Sequence, residues 1–328
     1  MFLKYLKNKI TKCSRKGIAH IKGYLEALYN AIFNKPVGEV YMFHRVMPND
    51  KSIKPIAELS VTPSRFEQFI KDRIDKLDFI SVDEMYSVMK NKQKRTKPFA
   101  VITFDDGYSD NYEFAYPILK KYNVPFCIYL SVNLVNKGEK VWNYPLIAER
   151  IVRNNEYLEL ADGTQYCCQT DEDKDKTFMA LKSWILNQPY DKLQDEFIIQ
   201  FEKYLNDDVF VAETLTWSRV EEMSEDSLCT FGSHTMSHCR LSFSEQDWLE
   251  YELSESKKEI ESHIGEPVEH LSYPYGWKTD VSLAAAEYAN KAGYKTAMIS
   301  WGGTVRKYDR DMYHVKRIMV FEDGRTSC

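Results

Sequence analysis

The feature that most restricts the fold of this chain is a regular alternation of short apolar runs with segments of helical periodicity. Strands that alternate with helices are typical of parallel β/α architecture, because two parallel strands need a crossover connection between them. The sequence therefore predicts an α/β fold. The predicted strands lie at 40–43, 79–82, 98–104, 126–130, 228–231, 268–273, 296–300 and 315–321.

Two stretches depart from this alternation. Residues 136–215 are charged and aromatic, have helical periodicity around Phe178 and Phe197, and lack a clear strand. We interpret them as a mainly helical insertion over the active-site face, since insertions of this kind often cover a site. The other stretch is residues 1–36, a basic N-terminal segment that precedes a main domain at 37–328.

The basic N-terminal segment has the pattern of an amphipathic helix. Its first 35 residues carry eight Lys or Arg and one acid, Glu26, with apolar residues at roughly helical spacing. Such a helix binds membrane surfaces or partners, although a solvated helix packed on the domain fits the pattern equally well. We predict peripheral contact with anionic membranes through residues 1–35. The chain has no run of about 18 apolar residues that would predict a membrane span, and lysines interrupt any secretion signal.

The net charge and the cysteine content limit the classes of partner and the cell compartment that the sequence predicts. The net charge of −5 argues against a nucleic-acid binder. The seven cysteines are odd in number and include no C-x-x-C pair, so neither a disulfide framework nor a cysteine zinc site is predicted. We therefore predict a cytoplasmic protein that contacts the inner face of the membrane.

Chemically active side chains follow the ends of several predicted strands. In parallel β/α barrels and sheets, catalytic groups gather at the carboxyl ends of the strands. These side chains are therefore expected to lie near one another. They are His44, Asp105, Asp106, His234, His238, Tyr275 and Trp301.

A metal site is the chemistry that these residue types favour. His234 and His238 are four positions apart, which puts both rings on one face of a helical turn. With one carboxylate of the Asp105–Asp106 pair they form a three-ligand set that leaves a position open, as in catalytic metal sites. The other carboxylate is then free to act as a base. Such ligands suit Zn²⁺, and Co²⁺ or Ni²⁺ could substitute. The alternatives are a surface Asp-Asp-Gly turn and a structural histidine pair.

The motifs around these residues resemble those of the polysaccharide deacetylase family, carbohydrate esterase family 4. T-F-D-D-G is complete at 103–107 and H-[ST]-x-x-H is complete at 234–238. The resemblance covers about residues 38–321 apart from the insertion. It implies a distorted (β/α)7 barrel and a metal-dependent hydrolase that removes an N-acetyl group from a sugar. The implied base is Asp105, and the implied metal ligands are Asp106, His234 and His238.

Two motifs depart from the family pattern. R-x-P-[YW] reads S-Y-P-Y at 272–275, so its arginine is missing, while the Tyr275 backbone N–H is the implied oxyanion donor. The late Leu-x-His motif is not evident. Both changes resemble a branch with permuted motifs, in which the general-acid histidine comes from an N-terminal strand. F-H-R-V at 43–46 fits that place, which makes His44 the implied acid and Arg45 the alternative functional group.

Arg317 is our candidate for the missing arginine. It lies in the last predicted strand, and a carboxylate base needs a cationic partner to stay ionised. With Tyr275 and Trp301 it completes the residues that we predict to contact the substrate or the oxyanion.

The predicted function is a metal-dependent hydrolase that removes an N-acetyl group from an amino sugar of a poly- or oligosaccharide, in cell-surface polysaccharide biosynthesis. A lipid-linked substrate would suit the basic N-terminal segment. Two alternatives stay open: a deformylase or other deacylase with the same machinery, and a sugar-binding pseudoenzyme without turnover. The intact aspartate pair and histidine pair argue against the pseudoenzyme, whereas the missing arginine favours it.

Overall fold

The structure of the protein is a computed structural model that describes residues 35–327 except 49, 92, 94, 137–141, 212 and 243–244. The predicted amphipathic helix of the basic N-terminal segment falls on residues 1–34 and therefore lies outside the described residues. Within the described part of the chain, no helix is both long enough and apolar enough to cross a membrane.

A closed barrel of parallel strands forms the core of the fold. The strands are β1 (Pro36–Phe43), β2 (Arg45–Val46), β3 (Ser60–Val61), β4 (Asp78–Phe79), β5 (Phe99–Phe104), β6 (Phe126–Leu130), β7 (Tyr157–Glu159), β8 (Gln165–Cys167), β9 (Cys229–Ser233), β10 (His270–Ser272), β11 (Thr296–Gly302), β12 (Val305–Arg306) and β13 (Val315–Met319). Seven of them pair in the order β1, β5, β6, β9, β10, β11 and β13, and β13 pairs with β1 to close the ring. The predicted (β/α)7 barrel is therefore confirmed.

The barrel is distorted where its strands are short. Between β9 and β10 only Ser233 and Leu271 pair, and the register of β11 against β13 shifts between Met298 and Gly302. Strand β12 adds in the antiparallel sense at the start of β1, and β4 adds beside β5.

The barrel strands are buried on both faces, which is why the sequence shows them as continuous apolar runs. All six residues of β5 and all five residues of β6 are buried. Ile102 and Phe104 pack in the largest apolar cluster, whereas Phe99 and Val101 pack in a second cluster. Alternate residues of β5 thus contribute to two separate packed layers.

Helices surround the barrel and connect its strands. They are α1 (Lys54–Ala57), α2 (Pro63–Lys71), α3 (Val82–Asn91), α4 (Tyr116–Tyr122), α5 (Val132–Asn136), α6 (Tyr144–Asn154), α7 (Asp171–Asn187), α8 (Tyr190–Phe201), α9 (Trp217–Ser224), α10 (Gln246–Ile264) and α11 (Leu283–Lys291). A π-helical turn, Asn111–Ala115, leads into α4, and short 3₁₀ turns occur at Glu202–Tyr204 and Asp207–Phe210.

Several helix boundaries follow their sequence signals. The Thr62 hydroxyl accepts the Arg65 N–H at the start of α2, and Gly265, with φ +70°, ends α10. Glu245 is the described residue that precedes α10.

The predicted strand at 79–82 is wrong in its second half. Only Asp78–Phe79 pairs with β5, and α3 already begins at Val82. The reason is local, because the Ser81 hydroxyl accepts the Glu84 N–H at 3.1 Å and so starts the helix.

The stretch between β6 and α9 is mainly helical, as the sequence predicts. Helices α6, α7 and α8 contribute to an apolar cluster that includes Phe178 and Phe197. The antiparallel hairpin of β7 and β8, between α6 and α7 in the chain, does not follow from the sequence pattern. The division of the chain into 1–36, 37–328 and an insertion at 136–215 stays a prediction.

Candidate active site and metal centre

Asp105 and Asp106 follow β5 at a sharp break in the backbone. The Asp105 N–H donates to the Phe43 carbonyl at 3.0 Å, whereas Asp106 is left-handed, with φ +73°. Gly107 is also left-handed, at φ +77°, and a Cβ here would lie 2.7 Å from a methyl carbon of Leu130. A regular strand would send the two carboxylates to opposite faces, and this break lets both face one site.

Asp106, His234 and His238 converge at the carboxyl end of the barrel. One potential ligand atom from each lies within 4.8 Å of the others. Asp106 Oδ1 is 3.1 Å from His238 Nε2 and 3.5 Å from His234 Nε2. Asp106 Oδ1 and the Nε2 atoms of His234 and His238 therefore surround a space of the size that one metal ion would fill.

The donor set fits a divalent metal ion. His234 Nδ1 donates to the Ser272 carbonyl at 2.7 Å, so its Nε2 keeps a lone pair on the side of Asp106. Asp106 Oδ1 is buried, and no hydrogen bond of good geometry reaches it from the described residues. A buried carboxylate oxygen next to two imidazole nitrogens is the arrangement that a bound cation satisfies.

The electrostatics hold these groups in the forms that bind metal. Burial, supported by the nearby His238, lowers the pKa of His234 to about 4, so this imidazole is neutral at neutral pH. Burial raises the pKa of Asp106, but the interactions of its carboxyl with His238, His44 and His234 outweigh burial and hold the pKa below its ordinary range. Metal ligands must be neutral imidazoles and ionised carboxylates, and His234 and Asp106 meet these conditions.

Asp105 is held by a buried arginine. Arg317, in β13, donates through its two terminal nitrogens to the two carboxylate oxygens, each at 2.7 Å. The same guanidinium donates to Ser272 Oγ at 2.9 Å and to the Ile299 carbonyl at 3.1 Å. Burial raises the pKa of Asp105, but the charge of Arg317 outweighs it and the pKa is lowered. Asp105 is therefore ionised and fixed in orientation.

The loop that carries the two histidines has an uncommon conformation. Thr235 and His238 are left-handed, with φ +69° and +58°. Non-glycine residues keep such angles only where their surroundings hold them. Thr235 Oγ1 accepts the His238 N–H at 3.0 Å, and Glu252 of α10 accepts the Ser237 N–H at 3.0 Å together with the Ser237 hydroxyl. Glu252 therefore anchors the loop between the two histidines.

Glu252 was not predicted from the sequence, although a signal was present. It lies on the buried face of α10, together with Leu249, Leu253 and Ile260. An acid on an apolar helix face needs a hydrogen-bonding partner. Burial raises the pKa of Glu252 above its ordinary value, which is the cost that the loop hydrogen bonds offset.

Tyr275 contacts the site, whereas the described contacts of Trp301 are with other residues. Tyr275 has φ +61°, and its ring meets the His238 ring at 4.9 Å between centroids. Its carbonyl accepts the Ser300 hydroxyl at 2.7 Å. Trp301 follows Ser300 in β11 and packs against the barrel core. Lys278 Nζ lies 4.4 Å from the centroid of its ring.

His44 follows β1 and lies within the electrostatic reach of both aspartates. The charges of Asp106 and Asp105 raise the pKa of His44, but burial is the larger effect and the pKa is lowered. Its Nδ1 is buried without a hydrogen-bond partner among the described residues, and its carbonyl accepts the Asn111 amide at 2.9 Å. His44 is thus a half-buried imidazole with a lowered pKa, and its buried Nδ1 lies beside the two carboxylates.

Arg45 belongs to an ion-pair network in which Arg45 and Asp110 are buried and Glu213 is partly exposed. Its Nε donates to Asp110 at 2.9 Å, and its terminal nitrogen is 2.5 Å from a Glu213 oxygen. Glu213 also pairs with Arg150 of α6 at 2.8 Å. These bonds connect β2 to the helical insertion and pair the Arg45 charge with two carboxylates. The network was not predicted, since its members are distant in the chain.

Comparison with known proteins settles the family. The family model for polysaccharide deacetylases matches residues 92–161 and 171–297, more than half of the chain. The chain belongs to the polysaccharide deacetylase family. This membership confirms the resemblance that the motifs carry, and it makes the chain a hydrolase of the carbohydrate N-deacetylase class.

Similar proteins match this polysaccharide deacetylase over most of its length. The YxkH protein of Bacillus subtilis, named provisionally as a polysaccharide deacetylase, is 21% identical over 282 residues, which are 86% of this chain and 70% of that protein. The Streptococcus pyogenes deacetylase PplD, solved in complex with acetate, is 19% identical with a TM-score of 0.58, covering 88% of this chain and 95% of that chain. IcaB from Ammonifex degensii is 16% identical with a TM-score of 0.58, covering 88% and 94%. At these identities the two structures show the shared fold.

Proposed function

We propose that the protein is a metal-dependent deacetylase that removes an N-acetyl group from an amino sugar of an oligo- or polysaccharide, in cell-surface polysaccharide biosynthesis. The observation that carries this proposal is the pairing of two devices at one end of the barrel. Three metal-ligating atoms lie within 4.8 Å of one another, and a separate carboxylate, Asp105, is held by a buried guanidinium. Amide hydrolysis needs a Lewis acid or oxyanion donor as well as a base.

Asp106, His234 and His238 would hold the metal ion. We propose Zn²⁺, with Co²⁺ or Ni²⁺ as substitutes, because imidazole suits these metals. When bound, such an ion supplies a Lewis acid that polarises a carbonyl and lowers the pKa of water.

Asp105 is proposed as the general base, which takes a proton from the water that attacks the acetamide carbonyl. Arg317 supports this role, because it keeps the carboxylate ionised and fixes its orientation through two hydrogen bonds of 2.7 Å. The Tyr275 backbone N–H is proposed as a donor to the oxyanion. The contact of the Tyr275 ring with the His238 ring supports this role, because it brings Tyr275 close to a candidate metal ligand. Trp301 is proposed as a further substrate contact, on the basis of its position near the end of β11.

His44 is proposed as the general acid. The nitrogen of an amide leaves poorly unless it is protonated, so the reaction needs an acid near the leaving group. The buried Nδ1 of His44 lacks a partner among the described residues, and two carboxylates lie near enough to act on its pKa. A lowered pKa makes protonated His44 a stronger acid, and the proton that it passes to the leaving nitrogen would be the one that Asp105 takes from the attacking water.

We also propose peripheral contact with anionic membranes through residues 1–35, a lipid-linked substrate and a cytoplasmic location. The cationic excess of this segment supports the first two proposals. Free cysteines, as expected in a reducing compartment, support the third. They include Cys127, Cys167, Cys168 and Cys229.

The test measures acetate and formate released from a panel of N-acylated saccharides, before and after metal removal. We expect acetate release that disappears with the metal and returns when Zn²⁺ is added. His238→Ala should lose most of its metal and nearly all activity. Formate release in place of acetate would assign a deformylase. Full activity of a verified metal-free protein would contradict the proposed mechanism.

A further inference from the structure

A cavity of about 420 Å³ lies at the end of the barrel opposite the candidate active site. Its wall includes Pro36, at the start of β1, and Pro98, the residue before β5. The amino ends of these parallel strands meet here, whereas the candidate metal ligands follow the carboxyl ends of β5 and β9. The eight residues of β1 span about 25 Å. A ligand in this cavity would therefore lie far from the candidate metal centre.

The wall of this cavity carries an excess of positive charge. Part of the wall comes from residues 95–98, in a stretch at 90–97 that has five Lys or Arg and no acid, and another part comes from residues 306–310. Asp309 is the one acid that lines the cavity, and it already pairs with Lys316 at 3.1 Å. The lining cations are Arg95, Lys97, Arg306, Lys307 and Arg310.

Three of these cations, Lys97, Lys307 and Arg310, are exposed and have no carboxylate partner among the described residues. Lys97 Nζ donates to a backbone carbonyl at 3.0 Å. Arg310 donates to two backbone carbonyls of its own loop, at 3.1 and 3.2 Å. Lys307 Nζ lies 5.2 Å from the centroid of the Tyr308 ring. These three charges are therefore available to an anion from outside the chain.

The rest of the wall includes apolar and aromatic groups. Val88 and Met89 of α3 line the cavity and are buried. Tyr308 lines it as well and is 44% exposed. Tyrosine has an apolar body and a polar tip, and it is common where proteins meet the membrane–water interface. Cations beside such groups fit an anionic amphiphile better than a fully hydrophilic anion, which would not use the apolar wall.

The basic N-terminal segment joins the barrel beside this cavity. The Lys307 N–H donates to the Lys35 carbonyl at 3.0 Å, and Pro36 lines the cavity. Because residues 1–35 carry eight Lys or Arg and one acid, repulsion between like charges argues against this segment as the occupant. The segment and the cavity are instead complementary to the same anionic surface.

We propose that this cavity binds the phosphate headgroup of an anionic lipid, so that the amino end of the barrel faces the membrane. The inference does not depend on the proposed deacetylation, and it adds a second contact, on the barrel, to the one proposed for residues 1–35. The two linked contacts reinforce each other, so the loss of either one releases much of the protein. The candidate active site then faces away from the bilayer and stays open to saccharides in solution.

The test measures co-sedimentation of the full chain with phosphatidylglycerol vesicles at low salt, using three variants that each lose three positive charges. The cavity variant should bind about 100-fold more weakly, as expected when three basic residues leave an anionic surface. The control variant, which loses exposed lysines elsewhere, should change binding far less. The cavity variant is Lys97→Gln/Lys307→Gln/Arg310→Gln, the control is Lys51→Gln/Lys54→Gln/Lys192→Gln, and the segment variant is Lys4→Gln/Lys7→Gln/Lys9→Gln.

A cavity variant that binds vesicles as the control variant does would overturn the inference, and weaker binding by the segment variant alone would leave the contact to residues 1–35. A full chain that binds no phosphatidylglycerol vesicles would also overturn it. In that case, calorimetric binding of inorganic phosphate that the cavity variant loses would assign a soluble anion to the cavity. Acetate release from soluble saccharides should be the same in the cavity variant and the wild type, and this readout tests the proposed function separately.

Discussion

Replacement of Arg317 by methionine should raise the pKa of Asp105 and move the acid limb of the pH–rate profile to higher pH. Methionine keeps most of the apolar stem of arginine but carries no charge. In the wild type both Asp105 oxygens accept an N–H of Arg317 at 2.7 Å, and both side chains are buried. The variant leaves the carboxyl buried without its main counter-charge.

The size of the shift follows from the cost of a buried charge that has lost its partner. Removing one member of a buried ion pair costs about 3–5 kcal/mol, and one pKa unit corresponds to about 1.36 kcal/mol. The pKa of Asp105 should therefore rise by about two to four units. The variant also loses the hydrogen bonds from Arg317 to Ser272 and Ile299. Their loss lowers the stability of the fold but does not depend on pH, because neither partner is titratable.

The same substitution reverses the effect of pH on stability. In the wild type the folded-state pKa of Asp105 is lowered, so its ion pair stabilises the fold above the unfolded-state pKa of about 4. That contribution is lost as the pH falls through the folded-state pKa. In Arg317→Met the folded-state pKa is raised, so ionised Asp105 destabilises the fold at neutral pH. This deficit shrinks as the pH falls through the raised pKa.

The assay is acetate release between about pH 4 and pH 9, with the metal content measured at each pH. Urea unfolding at about pH 7 and pH 5 gives the stability of each variant. Arg317→Lys is the matched control, since it keeps one charge but loses the two-point contact, and its acid limb should move less. An acid limb that stays in place in Arg317→Met, at wild-type metal content, would refute the coupling and return Arg317 to a structural role.

The remaining predictions separate the other proposed roles. Asp105→Asn should keep its metal and lose about 10² or more in rate, as for a missing general base, whereas Asp106→Ala should lose metal affinity first. Equal metal loss, measured by elemental analysis, would show that the pair is wrongly assigned. His44→Ala should keep metal and fold while turnover falls about 10²–10⁴-fold and the alkaline limb weakens, and wild-type turnover would make His44 structural. Deletion of residues 1–35 should release the protein from acidic vesicles and leave activity on soluble saccharides unchanged. A full-length chain that does not bind such vesicles at low salt would exclude the membrane contact.

The barrel could be predicted because its strands are covered on both sides. Burial on two faces produces unbroken apolar runs, and the boundary of β6, Phe126–Leu130, coincides with the predicted strand at both ends. The prediction failed where a local hydrogen bond decided the outcome. At Ser81 a hydroxyl cap starts a helix inside an apolar run, and the run alone carries no sign of it.

The candidate site was predictable to the extent that its chemistry is concentrated in short motifs. Asp106, His234 and His238 come together because their loops follow the carboxyl ends of β5 and β9, two parallel strands that flank β6 in the barrel. Hydrogen-bond partners from elsewhere in the chain were harder to predict. Glu252 reaches Ser237 from a helix, and this contact depends on how α10 packs against the loop. Periodicity shows that a face is buried but not which polar group meets it there.

During synthesis on the ribosome, the candidate site is complete only after β13 has been made, because β13 closes the barrel and carries Arg317. β1 pairs with β5, which is made early, and with β13, which is made last. Arg317 follows Asp105 by 212 positions in the chain. At about 5–20 residues per second, this separation corresponds to a delay of about ten to forty seconds. Ribosome-bound chains of increasing length should release acetate only after β13 has emerged. A premature stop before residue 317 removes the counter-charge of the proposed base, although every motif residue from 103 to 275 has already been made.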